Sequence, residues 1–257
     1  MRAIILAAGV GNRLSPAFSG PKCLLEIGGQ SLLARHLQML TLGGVENLTL
    51  VVGHNPAPIV EAAGRMNTMR TLVHFNPLYR LGSIISLWCA RQTLKCGEDV
   101  IVMDADVLYH PEIMERLLNA PSGNYFMLDQ AFIDGDEPVK ICLRENAIVE
   151  FRKQLPQGLN FDRIGESVGF FRFTPDAANY LSEQASRYVA DGRADLPHEE
   201  LLREFALESP YQSDIIDVSG LPWIEIDFPE DVERANEDVL MRINADTGNA
   251  GHAHTSL

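Results

Sequence analysis

Scarce cations set beside small residues give the first chemical signal in this chain. In Leu6-Ala-Ala-Gly-Val-Gly-Asn-Arg-Leu14, followed by Pro21-Lys22, Gly9 and Gly11 let backbone N–H groups approach a polyphosphate closely. Ala7 and Ala8 leave room for a flat base. Arg13 and Lys22 add two positive charges to the same loop, in a sequence whose four lysines are Lys22, Lys95, Lys140 and Lys153. A GxG alone would favour an ordinary strand-to-helix turn with incidental charges; the added Pro-Lys favours a phosphate loop. Two other phosphate motifs are excluded. Leu14 stands where a dinucleotide GxGxxG needs its third glycine, and no GxxxxGKS/T is present.

Two aspartates stand at the ends of apolar runs, Asp106 after Asp99–Met103 and Asp227 after Trp223-Ile-Glu-Ile226. Carboxylate oxygens suit Mg²⁺, which keeps several waters and completes its shell from phosphates. Each aspartate has a second reading as a cap of the helix that follows, at Pro111 and at Pro229. Asp104, two residues before Asp106, either orients the site or caps the strand. Gly82 opens a helix, so its amide or the Ser83 hydroxyl is placed to read a base edge, with Ser83 as a plain N-cap the alternative. Glu166 and Glu199 are acids able to neutralise a cationic group, and Tyr79, Trp88, Tyr211 and Trp223 are aromatics that either wall such a group or pack in the core. His54, His74 and His110 have no matching partners.

These residues need elements to hold them. Arg2–Ala7 reads as a strand buried on both faces. A helix from Ser31 to Gly43, a strand Leu48–Val52, a helix Ile59–Arg65, a strand Thr71–Phe75, a helix Ser83–Leu94 and the strand Asp99–Met103 follow. This alternation predicts a parallel sheet flanked by helices, with ligands at the edge where the strands end. From about Asn124 the rhythm changes to short strands (Asn124–Asp129, Val139–Leu143, Ile148–Phe151, Val168–Phe173), then helices, two more strands and a last helix from Pro229 to about Arg242. The reading is one mixed α/β domain over 1–243, with a nucleotide-type half (1–123), a small β-rich acceptor half (124–243) and a disordered tail (244–257).

Composition narrows the partners. The 257 residues include 35 acidic against 21 basic side chains, a net charge of −14, and a field of that sign disfavours a nucleic-acid surface. No apolar run is long enough for a bilayer span, and the N-terminus does not read as a signal peptide, so a cytoplasmic address is expected. Cys23, Cys89, Cys96 and Cys142 form no CxxC pair and are expected as free thiols.

The loop and its continuation, LAAGVGNRLSPAFSGPKCLLEIGGQSLL, resemble the signature LAAGxGxRL…PKxLxxIxGxxLL of the nucleotidyltransferase family that builds NDP-sugars and CDP-alcohols. Asn76-Pro-Leu-Tyr79, Ser86-Leu87 with Ala90-Arg91, Gly165-Glu-Ser-Val-Gly-Phe170 and Trp223–Asp231 are similar to the small cytidylyltransferases of the phosphocholine type. The resemblance implies a Rossmann-like α/β/α sandwich with a mostly parallel mixed sheet. It also implies attack of an acceptor phosphate oxygen on the α-phosphorus of an NTP, with release of pyrophosphate. On this chain Arg13 and Lys22 would hold the triphosphate, Asp106 and Asp227 would bind Mg²⁺, and the base would sit between Leu6–Gly9 and Gly82–Ser83. Lys153 would meet the acceptor's phosphate and Glu166 a cationic acceptor. The implied substrates are CTP and phosphocholine or 2-aminoethylphosphonate, and a homodimer is the family-based expectation. The alternatives are a sugar-1-phosphate nucleotidyltransferase, a molybdopterin guanylyltransferase and a non-catalytic nucleotide sensor.

Overall fold

The computed structural model describes residues 1–14, 18, 20–66 and 69–253. Residues 15–17 and 19 of the proposed phosphate loop and the last four residues of the expected tail lie outside the described residues. Strand β1 (Arg2–Ala7) is an uninterrupted aliphatic run, which suits a strand covered on both faces. A small hairpin, β2 (Glu26–Ile27) and β3 (Gln30–Ser31), leads into α1 (Leu32–Leu42). Ser31 caps α1, its hydroxyl accepting the Ala34 N–H at 3.2 Å. Then come β4 (Asn47–Val52), α2 (Pro56–Met66), β5 (Arg70–Phe75), α3 (Ile84–Cys89), α4 (Arg91–Leu94) and β6 (Val100–Asp104).

The second half begins with β7 (Val107–Tyr109), α5 (Pro111–Asn119) and β8 (Tyr125–Asp129). A hairpin of β9 (Lys140–Arg144) and β10 (Ala147–Arg152) turns at Glu145 and Asn146, both with positive φ, the backbone that a tight two-residue hairpin turn requires. After β11 (Arg163–Phe173) the chain runs through α6 (Pro175–Ala190), α7 (His198–Glu208), β12 (Asp214–Asp217) and β13 (Trp223–Glu225). It finishes with α8 (Pro229–Arg234), a π-helical turn (Ala235–Val239) and α9 (Leu240–Ala253).

The main sheet has the order β10-β9-β11-β6-β1-β4-β5, with β8 also pairing β11 and β12 pairing β8. Strands β5, β4, β1 and β6 are mutually parallel, and β11 is antiparallel to β6. The chain winds from β1 outward through β4 and β5, then returns to place β6 on the other side of β1. That reversal opens a crevice at the carboxyl ends of β1 and β6, the position where open α/β sheets bind ligands. Their register sets Leu6 beside Asp104, so the glycine loop and the Asp104–Asp106 turn share one edge.

Apolar residues fill both faces of the sheet. One cluster joins α3, α6 and α7 to Phe126, Phe151, Phe171 and Phe173, and another joins α1, α2 and α5 to Ile5, Leu50 and Met103. This is the helix-flanked sheet that the alternation predicts and the α/β/α sandwich that the family resemblance implies. A third cluster, with Leu14, Ile27, Leu108, Ile224 and Ile226, underlies the loop after β1. Two of the boundaries that differ from the expectation lie in the second half. β11 starts at Arg163, not Val168, because Arg163–Glu166 pair with β9 before the strand reaches β6. The tail expected to be disordered from Asn244 is helical as far as Ala253, with Ile243 buried in the third cluster.

Candidate active site

The loop after β1 is shaped to carry its cations outward. Gly11 has φ +67°, and a Cβ there would lie 2.9 Å from Lys22 Cγ, so only glycine lets the lysine stem lie across the loop. Leu14 is buried and closes a 3₁₀ turn (Asn12–Leu14) by donating its N–H to Gly11 O at 3.2 Å, which leaves Arg13 half exposed. Lys22 starts a second short turn (Lys22–Leu24) that is anchored by buried Cys23.

A separate two-stranded ribbon assembles the carboxylates. β7 and β13 pair antiparallel with Val107 opposite Glu225, and Ile226 donates its N–H to Asp106 O at 3.0 Å. Asp106, which precedes β7, and Asp227, which follows β13, therefore meet at one end of the ribbon. With Glu225 they place carboxylate oxygens within 4.8 Å of one another. The capping reading fails for both aspartates: His110 Nδ1 caps α5 by accepting Glu112 N–H at 3.2 Å, and the Asp231 carboxylate accepts the amides of Asp227 and Phe228 at the start of α8.

Lys22 Nζ lies 3.3 Å from Asp106 Oδ2 and also donates to Asp227 Oδ1. Arg13 Nη1 lies 3.2 Å from Asp227 Oδ2. Burial opposes the Lys22 charge, but Asp106 and Asp227 outweigh it and raise its pKa above the ordinary lysine value. Burial, with repulsion from Asp227, raises the pKa of Asp106 even though Lys22 opposes it. Burial and then Asp106, Asp227 and Asp104 push Glu225 well above the usual carboxylate range. Crowded hard-oxygen donors carrying excess negative charge are the set that a divalent cation such as Mg²⁺ takes, so Asp106, Glu225 and Asp227 fit a metal.

Leu6, Ala7, Ala8, Gly9, Gly11, Lys22, Ser83 and Asp106 line one cavity of about 220 Å³. Asp227 and Glu166 line a neighbouring cavity of about 530 Å³, and Glu225 borders both. Burial, then repulsion from Asp129, raises the Glu166 pKa to about 7. Lys153 lies in a third recess, with Gly169, Glu199 and Glu225, and Glu225 borders all three spaces. Of the four aromatics, Trp223 lines the larger cavity and donates its Nε1–H to Asp129 Oδ2 at 2.8 Å. Trp88 lies under the Arg91 guanidinium, and Tyr211 stacks on Phe205, away from the site.

Three expectations need correction. The Gly82 amide is already given to Ala194 O at 3.1 Å, and a Cβ at residue 82 would sit 1.9 Å from Leu196 O; its glycine serves close packing, not base reading. The Ser83 hydroxyl does not cap its own helix α3: it accepts the His198 backbone N–H, the first amide of α7, at 2.8 Å and pairs with His198 Nδ1 at 3.0 Å. Glu199 is not free for a cationic acceptor, because its carboxylate lies 3.0 Å from His198 Nδ1. Burial opposes charge on both partners, yet their attraction lowers the Glu199 pKa to about 2 and, with Asp104, raises that of His198 to about 9.

Glu225 and His198 were not singled out from sequence. Glu225 carried a signal: strand alternation places residues 223, 225 and 227 on one side of the chain. His198 carried none, since its partners Ser83 and Asp104 are remote in sequence.

Comparison with known proteins agrees with this fold. The "Bifunctional IPC transferase and DIPP synthase" of Rubrobacter xylanophilus is 31% identical over 243 residues, covering 93% of this chain and 52% of that protein. The chain thus spans about half the length of the first curated relatives it matches. The "CTP:phosphoglutamine cytidylyltransferase" of Campylobacter jejuni is 25% identical, covering 91% of this chain and 98% of that one. The solved inositol-1-phosphate CTP transferase from T. maritima shares the fold with a TM-score of 0.76 at 23% identity, covering 95% and 96% of the two chains. Residues 3–156 match the MobA-like NTP transferase domain, and the chain belongs to that nucleotidyltransferase family.

Proposed function

We propose that this protein transfers a cytidylyl group from CTP to the phosphate or phosphonate of a small acceptor such as phosphocholine or 2-aminoethylphosphonate, releasing pyrophosphate. The observation that carries the reading is the Lys22 ammonium held against Asp106 and Asp227 at the rim of the β1–β6 crevice. A nucleoside triphosphate laid along Leu6–Gly11 brings its phosphates to Lys22 and Arg13, which exchange carboxylate oxygens for phosphate oxygens. An oxygen of the acceptor then forms a bond to the α-phosphorus as the bond to the bridging oxygen breaks, and pyrophosphate leaves with that electron pair. Lys22 and Arg13 stabilise the leaving charge, and alignment supplies the rest of the acceleration. Asp106, Glu225 and Asp227 would hold Mg²⁺, which supplies Lewis-acid neutralisation of the phosphates when bound.

In this reading Lys153, which lines the third recess, would meet the acceptor's phosphate, and Glu166 and Trp223 line the larger cavity, which would take the remainder of the acceptor. CTP as donor is supported by the names of the Campylobacter relative and the T. maritima neighbour. The free cysteines suit a reducing, cytoplasmic setting. A non-catalytic sensor would have no use for a three-carboxylate cluster facing the phosphate loop. The test is a pyrophosphate-release screen that crosses four NTPs with phosphocholine, 2-aminoethylphosphonate, inositol 1-phosphate and glucose 1-phosphate. Release should require CTP and a phosphorus-bearing acceptor other than the sugar phosphate; release with UTP and glucose 1-phosphate alone would overturn the reading.

A further inference from the structure

One carboxylate oxygen in the site belongs to neither the metal cluster nor the core. Glu137 Oε2 lies 3.0 Å from Arg13 Nη1 and 3.2 Å from Lys153 Nζ. These two cations come from opposite halves of the molecule, and the function proposed above gives them to different substrates. All three side chains are about half exposed, so the contacts are not forced by packing. A single anionic oxygen at hydrogen-bonding distance from a guanidinium and an ammonium has the surroundings that a phosphate oxygen seeks.

We infer that Glu137 is an internal stand-in for the acceptor's phosphate, occupying the anion point between Arg13 and Lys153 until substrate displaces it. Glu137 is suited to leave. Asp227, the other carboxylate on Arg13, is tied into the carboxylate cluster and to Lys22, whereas Glu137 sits on the connection between β8 and β9. Lys140 secures the base of that connection, donating to Gly135 O at 2.5 Å and to Lys153 O at 3.1 Å. The same connection contributes Ala131, Phe132, Ile133 and Pro138 to the wall of the larger cavity. Exchange of Glu137 for a phosphate therefore reshapes the space in which the rest of the acceptor lies, and Glu137 sets how tightly a phosphate-bearing acceptor is held.

The inference rests on the proposed function for its choice of acceptor, but its test uses inorganic phosphate alone. Calorimetric titration of phosphate into the full chain, without nucleotide, should show Glu137→Gln binding about fivefold more tightly than the wild type, the scale of releasing two half-exposed ion pairs. Asp136→Asn makes the same change of charge on the same connection, and Asp136 contacts Gln154, not the two cations. It should give no such gain. Adding Lys153→Gln to Glu137→Gln should abolish the gain, and Glu137→Ala repeats the measurement with the carboxylate removed entirely. Equal or weaker phosphate binding by both Glu137 variants, or an equal gain in Asp136→Asn, would overturn the inference. A failed NTP screen with a positive phosphate result removes the reaction and keeps the anion point; the reverse outcome removes the anion point alone.

Discussion

Asp106 and Asp227 are 121 positions apart in the chain, yet both carboxylates reach the Lys22 ammonium. Replacing Asp106 with Ala should lower turnover by at least ~10²-fold, the scale of losing one charge-stabilising group, while circular dichroism shows an intact fold. Glu225→Gln keeps the shape of the side chain but removes one donor charge from the cluster. It should weaken divalent-ion binding by about tenfold, read as a rise in the metal concentration that gives half-maximal rate. That Arg13, Lys22, Asp106 and Asp227 converge is legible in the sequence, because small residues or strand ends mark them locally. The hydrogen-bond partners of Gly82 and Ser83, Ala194 and His198, come from the far half of the chain and leave no trace near residues 82 and 83.

At the scale of elements, two crossings position the site: the β1–β6 switch point and the β7–β13 ribbon. β11 adds a third constraint. Gly169 has φ +79°, and a Cβ there would lie 2.5 Å from Asp104 Oδ2. Gly169→Ala should therefore cost about 1–3 kcal/mol in denaturant unfolding and displace Asp104 from the crevice, lowering turnover as well. The parallel half of the sheet was readable from alternation, since buried aliphatic strands and amphipathic helices recur at βαβ spacing. The ribbon was not, because β7 is only three residues long and its partner β13, itself readable as a strand, lies far along the chain. The last helix was cut short in the sequence reading because its anchor, Ile243, contacts a cluster assembled from distant segments.

Across the whole molecule, His198 joins the halves. Its backbone N–H and ring reach Ser83, and its Nε2 lies 3.8 Å from Asp104. Burial opposes its charge, but Glu199 and Asp104 raise its pKa from 6.5 to about 9. A histidine whose pKa is raised on folding stabilises fully below its unfolded value and loses that contribution as pH rises through the folded one. The melting temperature should fall between about pH 7 and pH 9 in the wild type, and much less in His198→Gln; equal slopes would remove His198 from the account.

Lys22 remains the point on which the chemistry converges, so its removal is the most direct test. Pyrophosphate release from CTP, with a phosphate acceptor and Mg²⁺ present, should fall by at least ~10²-fold in Lys22→Ala, with the melting transition preserved. Release at the wild-type rate from the folded variant would contradict the account.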